Sequence, residues 1–256
     1  MFGASHTGLF GTSSFLFDGK QGGLITSIFI FQLMFCGTAS TIISGAVAER
    51  TRFAGYFLIT ITMSAIIYPL NGHWIWGGNF DPSNAGWLEA KGFIDFAGAT
   101  VVHSTGGWLA LAAIIIIGPR VGRFDDINNS IRGHNIPLAS VGVFLLWFGW
   151  LGFNGGSAYV FNEGTPLIIL NTIISGAVGS AVALIVTYIY HKRWSVIWTL
   201  NGALGGLVAV TGSANNISTG NAAIIGGIAA LVIIAVDRLL VRFRIDYAIG
   251  AVPFHA

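Results

Sequence analysis

Seven long apolar stretches constrain the fold of this chain more than any other feature of its sequence. They cover residues 24–47, 54–76, 96–118, 138–158, 165–190, 195–213 and 219–237. A helix needs about 20 apolar residues to cross the hydrocarbon core of a bilayer. Because apolar residues run on without alternating with polar ones, the stretches favour helices over barrel strands. We therefore predict an all-α, polytopic membrane helix bundle with about seven spans.

Few charged residues remain to cover a surface in water. Of the 256 residues, 54% are hydrophobic and only 9% are charged, whereas a soluble domain carries about 25% charged residues. This deficit excludes a cytosolic enzyme, a nucleic-acid binder and a disordered protein. The partner that the composition implies is the lipid bilayer.

The basic residues alternate between loops, and this pattern predicts the orientation. Ten of the twelve Lys and Arg residues fall on one side of the membrane, and only Lys20 and Lys91 fall on the other. The ten are Arg50, Arg52, Arg120, Arg123, Arg132, Lys192, Arg193, Arg238, Arg242 and Arg244. The positive-inside rule makes their side cytoplasmic and residues 1–23 external, in a multi-pass protein of the cell membrane. The cytoplasmic loops are then 48–53, 119–137, 191–194 and 238–246.

Two short segments that resemble each other begin on opposite sides of the membrane in this arrangement. Residues 95–103 read DFAGATVVH, and residues 246–255 read DYAIGAVPFH. Each has an Asp, an aromatic residue, an Ala and then a His eight or nine residues after the Asp. Such a pair is typical of an inverted repeat, which places a functional site near the midplane. A match this short also arises by chance, so the pattern alone leaves both explanations open.

His103 lies in an apolar stretch, and the polar residues next to it are Ser104 and Thr105. Burying an imidazole in hydrocarbon is costly unless the ring is partnered or lines a pore. His255 is the natural partner, because two neutral imidazoles can share one N–H···N bond. The remaining nitrogens suit a small uncharged molecule such as ammonia or water better than a metal ion, which needs more ligands. The structural alternative is a histidine hydrogen-bonded to a neighbouring helix.

Aromatic and hydroxyl side chains recur near the predicted external ends of the stretches. Phe31 and Phe35 are four residues apart, as are Phe153 and Ser157, so each pair shares one helix face. Trp76 ends the second stretch, and a tryptophan face attracts a cation by about 0.5–2 kcal/mol. The alternatives are ordinary packing of aromatic rings and an interfacial aromatic belt.

Four strings of the sequence together closely resemble the ammonium transporter (Amt/Mep) family. They are FQLMFCGTASTIISGAVAERTRF, PLNGHWIWGG, DFAGATVVHSTGG and FGWLGFNGGSA. The similarity spans nearly the whole chain. It implies a homotrimer with one pore per subunit and an eleven-helix fold, ten helices of which form an inverted five-plus-five repeat. Matched to this fold, residues 1–256 resemble a single, partial ammonium transporter membrane domain that runs from the third helix to the start of the tenth.

The resemblance also implies an external recruitment site for ammonium. Trp76, Ser157 and Phe35 resemble its main members: the rings would attract the cation, and the hydroxyl would accept a hydrogen bond from it. Phe31 and the carbonyl of Ala97 resemble weaker members of the same site. The matches at Trp76 and Ser157 favour the Amt branch over the Rhesus-type branch.

Deeper in the pore, the resemblance implies a gate and a pair of histidines. Phe35 and Phe153 resemble the stacked rings that block the pore entrance. His103 and His255 resemble the twin histidines within the pore. Asp95 resembles a supporting acid that acts indirectly by orienting the backbone and favouring cations.

These residues predict an ammonium transporter or channel that recruits ammonium, removes its proton and conducts ammonia through an apolar pore. It is not predicted to be an enzyme, and no cofactor or metal is implied. The first alternative is an ammonium-sensing membrane domain fused to a signalling module. A membrane enzyme with the two histidines as metal ligands is disfavoured because no third ligand is placed to help. Loops 119–137 and 238–246 could contact a PII-type regulatory protein, or they could simply form a basic surface that sets the topology.

Overall fold

The chain is helical in a computed structural model that describes residues 1–256 except 6, 14, 18–21, 126–130 and 132. Lys20 and Arg132, two of the basic residues that predict the orientation, lie outside these described residues. The helices are α1 Gly23–Val47, α2 Phe53–Trp76, α3 Ala99–Ile117, α4 Ile136–Gly156, α5 Thr165–His191, α6 Val196–Thr211, α7 Thr219–Arg242 and α8 Ala251–His255. The described part of the chain contains no strand, and the predicted all-α membrane bundle is confirmed.

Each of the seven predicted apolar stretches contains a helix. Within the described residues, six of these helices are long and apolar enough to cross a membrane. The seventh, α6, has 16 residues and is therefore about 24 Å long, which is shorter than a hydrocarbon core of about 30 Å. By contrast, α7 is longer than its predicted stretch of 219–237. It continues to Arg242, so the first residues of the predicted loop 238–246 are helical.

Glycine and serine residues bring α5, α6 and α7 into close contact. A Cβ atom added at Gly179 of α5 would lie 3.1 Å from the carbonyl oxygen of Gly226 in α7 and closer still to that of Gly202 in α6. The hydroxyl of Ser175 donates a hydrogen bond to the carbonyl oxygen of Gly206 at 2.7 Å. Small residues stabilise helix pairs in lipid because they let the backbones approach, and here they hold one half of the bundle together.

The other half of the bundle packs around α1. On the cytoplasmic side of the predicted orientation, Ile43 of α1, Ile114 of α3 and Val252 of α8 belong to one buried cluster. In the outer half, Phe35 of α1 packs with Val101 of α3 in another. The two segments that carry the histidines are therefore held against the same helix.

Two of the spans contain a π-helical turn. One covers Met63–Ile67 in α2, and the other covers Ala99–Ser104 at the start of α3. A π turn widens the helix by one residue and occurs often at functional sites. The second turn contains His103, so the irregular part of α3 is the part that carries a predicted pore residue.

Candidate functional site

A cavity of about 500 Å³ lies at the predicted external end of the bundle, and we call it the outer cavity. Trp76, Asp95 and Ser157 line it, together with Tyr159. The indole nitrogen of Trp76 donates a 2.6 Å hydrogen bond to the backbone carbonyl oxygen of Asp95, which fixes the ring. The Ser157 hydroxyl donates to the carbonyl oxygen of Phe153 at 2.8 Å. Because its proton is used there, the Ser157 oxygen keeps lone pairs that can accept a hydrogen bond from a cation.

A row of aromatic rings leads inward from this cavity. The ring centroids of Trp76 and Phe35 are 6.1 Å apart, and those of Phe31 and Phe35 are 4.4 Å apart. Phe35 and Phe153 stack with centroids 4.0 Å apart and planes 13° from parallel. Phe35 is only 2% exposed. The aromatic residues predicted for recruitment, Trp76, Phe31 and Phe35, and the gate residue Phe153 therefore form one continuous row of rings. Ala97 is fully buried nearby, and its N–H donates to the carbonyl oxygen of Thr211 at 3.1 Å.

The two predicted pore histidines lie next in the row. The His103 ring is 5.5 Å from the Phe153 ring, and the rings of His103 and His255 are 5.0 Å apart and within 11° of parallel. The expected N–H···N bond between them is not formed among the described residues. Both ring nitrogens of His103 and Nδ1 of His255 lack a hydrogen-bond partner among the described residues. Buried polar atoms without a partner are rare in folded proteins, so these nitrogens are available to hydrogen-bond a small molecule.

Trp150 also belongs to this row, a position for which the sequence motifs predicted no role. Its ring stacks on His103 at 5.0 Å and 10°, on α4 one turn before Phe153. Its indole nitrogen donates to the hydroxyl of Thr211 at 2.8 Å, which fixes the ring. A second cavity of about 380 Å³ opens beside His103, Trp150 and Phe153. The spacing of Trp150 and Phe153 on one helix face is the signal that could have found it.

Asp95 holds the start of α3. Its two carboxylate oxygens accept four backbone N–H bonds at 2.8–2.9 Å, from Gly98, Ala99, Thr100 and Val101. Gly98 has a φ of 100°, a left-handed conformation that favours glycine. Together these features start the helix at Ala99 instead of the predicted residue 96. Burial raises the pKa of the Asp95 carboxyl above its ordinary value, and the four N–H donors oppose this rise. The carboxylate is occupied by the backbone, so it positions α3 and with it His103.

Asp246 precedes α8 as Asp95 precedes α3, but its carboxylate forms ion pairs with arginine side chains. Gly250 ahead of α8 is also left-handed, with a φ of 71°. The buried Asp246 carboxylate contacts Arg120 Nε at 2.8 Å, Arg123 Nε at 3.3 Å and Arg50 Nη1 at 3.5 Å. Burial alone raises the pKa of Asp246, but the hydrogen bonds and charge of Arg120 outweigh it, and the pKa falls below its ordinary value. This cluster fixes the segment that carries His255.

Comparisons with known proteins show similarity along the whole chain. The model of the Ammonium Transporter Family matches residues 1–256. A putative ammonium transporter of Synechocystis sp. is 42% identical over 261 residues, and the ammonium transporter Amt2 of Archaeoglobus fulgidus is 38% identical over 269 residues. Each alignment covers 100% of this chain, and they cover 48% and 56% of the two relatives. The chain thus spans about half the length of these curated relatives.

Solved structures show the same similarity. A structure named Sensor Amt Protein matches with a TM-score of 0.93 and 43% identity, and the match covers 100% of this chain and 64% of that one. The crystal structure of Candida albicans Mep2 matches with a TM-score of 0.80 and 29% identity over 88% of this chain and 48% of that one.

Proposed function

Because the chain belongs to the ammonium transporter family, whose model matches its residues 1–256, we propose that it forms the pore of an ammonium transporter. It is a multi-pass membrane protein with six helices long enough to span a bilayer in its described part. One observation carries the proposal: a continuous row of rings joins the outer cavity to the buried, unpartnered imidazole of His103 and to His255 beside it. The row consists of Trp76, Phe35, Phe153, His103 and His255.

The outer cavity is suited to recruiting ammonium. The faces of Trp76 and Phe35 attract a cation, and such attraction is worth about 0.5–2 kcal/mol. The Ser157 oxygen can accept an N–H bond, because its own proton is donated to Phe153. Potassium has the charge of ammonium but no N–H group, so the hydroxyl favours ammonium over potassium.

The stacked gate favours passage of ammonia over that of the ion. Phe35 and Phe153 close the path with rings 4.0 Å apart, and a charged group in such an apolar place is penalised by several kcal/mol. Ammonium can avoid this cost by transferring its proton to solvent water at the mouth of the pore, whereas potassium has no proton to lose. Brief separation of the two rings would then admit a neutral molecule.

Beyond the gate, His103 and His255 offer hydrogen bonds in an otherwise apolar region. A neutral imidazole has one donor and one acceptor nitrogen, and ammonia can use both. The unpartnered nitrogens of His103 support this role. The stacked Trp150 ring and the anchored start of α3 hold His103 in place.

The proposal is tested by the double change His103→Ala, His255→Ala in the full-length protein. Methylammonium uptake and potassium uptake are measured in cells that lack their own ammonium transporters. The control is His191→Ala, an exposed histidine at the end of α5. We expect the double change to lower methylammonium uptake at least tenfold, or to lose selectivity over potassium, and the control to do neither. Unchanged uptake and selectivity in the double variant would refute the role of the histidines.

Sensing is a second candidate function, favoured by the similarity to the structure named Sensor Amt Protein. A sensor domain would bind ammonium at the outer cavity without conducting it. Purified full-length protein in vesicles separates the two functions: a transporter shows ammonium flux, whereas a sensor shows binding and no flux.

We also propose that the chain assembles as a homotrimer and that its cytoplasmic basic loops contact a PII-type regulator. The broad exposed apolar faces of α2 and α4 support the first proposal, since they suit either lipid or another subunit. The predicted basic side of the membrane supports the second. Mass measurement in detergent tests the trimer, and co-purification with a PII-type protein tests the contact.

A further inference from the structure

Tyr159 lines the outer cavity beside Trp76 and Ser157, and the mechanism above does not use it. It follows Ser157 by two residues in the loop after α4, and its side chain is 37% exposed. The ring is thus within the space that a recruited cation would enter, and it remains accessible from the outside.

Two other aromatic rings hold the Tyr159 ring in position. Its centroid lies 5.5 Å from that of Phe31 on α1 and 5.2 Å from that of Phe80 in the loop after α2. The interplanar angles are 61° and 64°, which are edge-to-face arrangements favoured by aromatic pairs. Tyr159 therefore connects the loop that carries Ser157 to a helix that carries predicted recruitment residues.

A buried hydrogen-bond chain anchors the Tyr159 hydroxyl. Gln32 Nε2 donates to the Tyr159 oxygen at 3.3 Å, and Tyr68 Oη donates to Gln32 Oε1 at 2.7 Å. Gln32 and Tyr68 are both buried, at 9% and 3% exposed. The Tyr159 oxygen accepts the hydrogen bond from Gln32, so this bond does not use the hydroxyl proton of Tyr159. The side chain is therefore held both at its ring, by the two aromatic contacts, and at its hydroxyl group.

The backbone at Tyr159 is in an uncommon conformation. Its φ is 57°, in the left-handed region that residues other than glycine seldom adopt. Such strain persists only where the surroundings impose it, and it clusters at ligand-binding positions. An ordinary interfacial aromatic residue does not need it: Phe161 in the same loop is 81% exposed and has no such φ.

We propose that Tyr159 is a further substrate-contacting residue, which adds an anchored aromatic face to the site that binds ammonium or methylammonium at the mouth of the pore. This inference rests on the proposed recruitment function of the outer cavity. It assigns Tyr159 to binding of the cation and not to its passage, since the ring lies outside the Phe35–Phe153 gate. The expected signature is a higher half-saturating concentration with an unchanged maximal rate.

The test measures methylammonium uptake over a range of concentrations in the full-length protein. Tyr159→Leu removes the aromatic face and is expected to raise the half-saturating concentration about three- to tenfold. Tyr159→Met is a second non-aromatic variant in case the leucine variant does not reach the membrane. Tyr159→Phe keeps the ring but loses the hydrogen bond from Gln32. It should raise the half-saturating concentration less than Tyr159→Leu does. Phe161→Leu, an exposed aromatic change in the same loop, is the matched control and should shift less than twofold.

Trp76→Leu separates failure of this inference from failure of the proposed function. If Trp76→Leu raises the half-saturating concentration and both non-aromatic Tyr159 variants stay within twofold of the native protein, Tyr159 is not a contact residue. A fall in maximal rate alone in the Tyr159 variants shows a structural role and also overturns the inference. If Trp76→Leu changes nothing, the recruitment function itself is wrong and the inference falls with it.

Discussion

Replacing Asp95 with Asn tests whether this carboxylate positions the start of α3. Each Asp95 oxygen accepts two backbone N–H bonds, one from a buried group and one from a partly buried group. Asparagine retains one acceptor oxygen and turns an NH₂ group toward the other two donors. A buried donor left without a partner costs about 1–3 kcal/mol. Since two donors are lost and one of them is only partly buried, we expect a loss of about 2–4 kcal/mol.

For a protein of this size such a loss lowers the melting temperature by on the order of 5–10 °C. Thermal stability of the purified protein in detergent measures it, and methylammonium uptake measures the effect on His103, which lies eight residues after Asp95. Asp81→Asn is the control, because Asp81 is also an outer aspartate that caps a short turn through Ser83, but it is exposed. If Asp95→Asn matches the native protein in melting temperature and uptake, the positioning role of Asp95 is refuted.

Two further predictions concern the segment that carries His255. The folded-state pKa of Asp246 is lowered, so its ion pairs stabilise the protein above the ordinary Asp pKa of about 3.9 and are lost as pH falls through the folded value. The melting-temperature deficit of Asp246→Asn should therefore be full at pH 7 and shrink below about pH 4; a deficit independent of pH would contradict this. A Cβ atom at Gly107 would lie 2.5 Å from the carbonyl carbon of His255, so Gly107→Val should displace α8 and lower methylammonium uptake at least tenfold. Native uptake by Gly107→Val would show that α8 does not need this close approach.

The positions of the helices could be predicted from hydropathy, because lipid requires every backbone group of a span to bond within its own segment. The start of α3 could not, because it depends on a side chain outside the helix: Asp95 bonds the N–H groups that begin at Gly98. Likewise α6 read as a span from its apolar residues, but its 16 residues are fewer than the stretch suggested.

In the candidate site, too, some features could be predicted from the sequence and others could not. The pairing of Asp95 with His103 and of Asp246 with His255 is visible as a repeated pattern, and the structure brings both histidines together. How each aspartate is held is not visible, because Arg120 approaches Asp246 from a distant part of the chain. The relative orientation of the histidine rings also depends on packing between helices, which composition and spacing do not specify.

Whether the pore conducts ammonia and excludes cations is tested by comparing ammonium flux with potassium flux through the purified full-length protein in the same lipid vesicles. We predict measurable ammonium flux and potassium flux at the level of protein-free vesicles, because under the proposed function the stacked Phe35 and Phe153 rings admit only a substrate that can lose its proton. Comparable fluxes of the two ions would show that the pore conducts the intact cation and would refute the proposed mechanism.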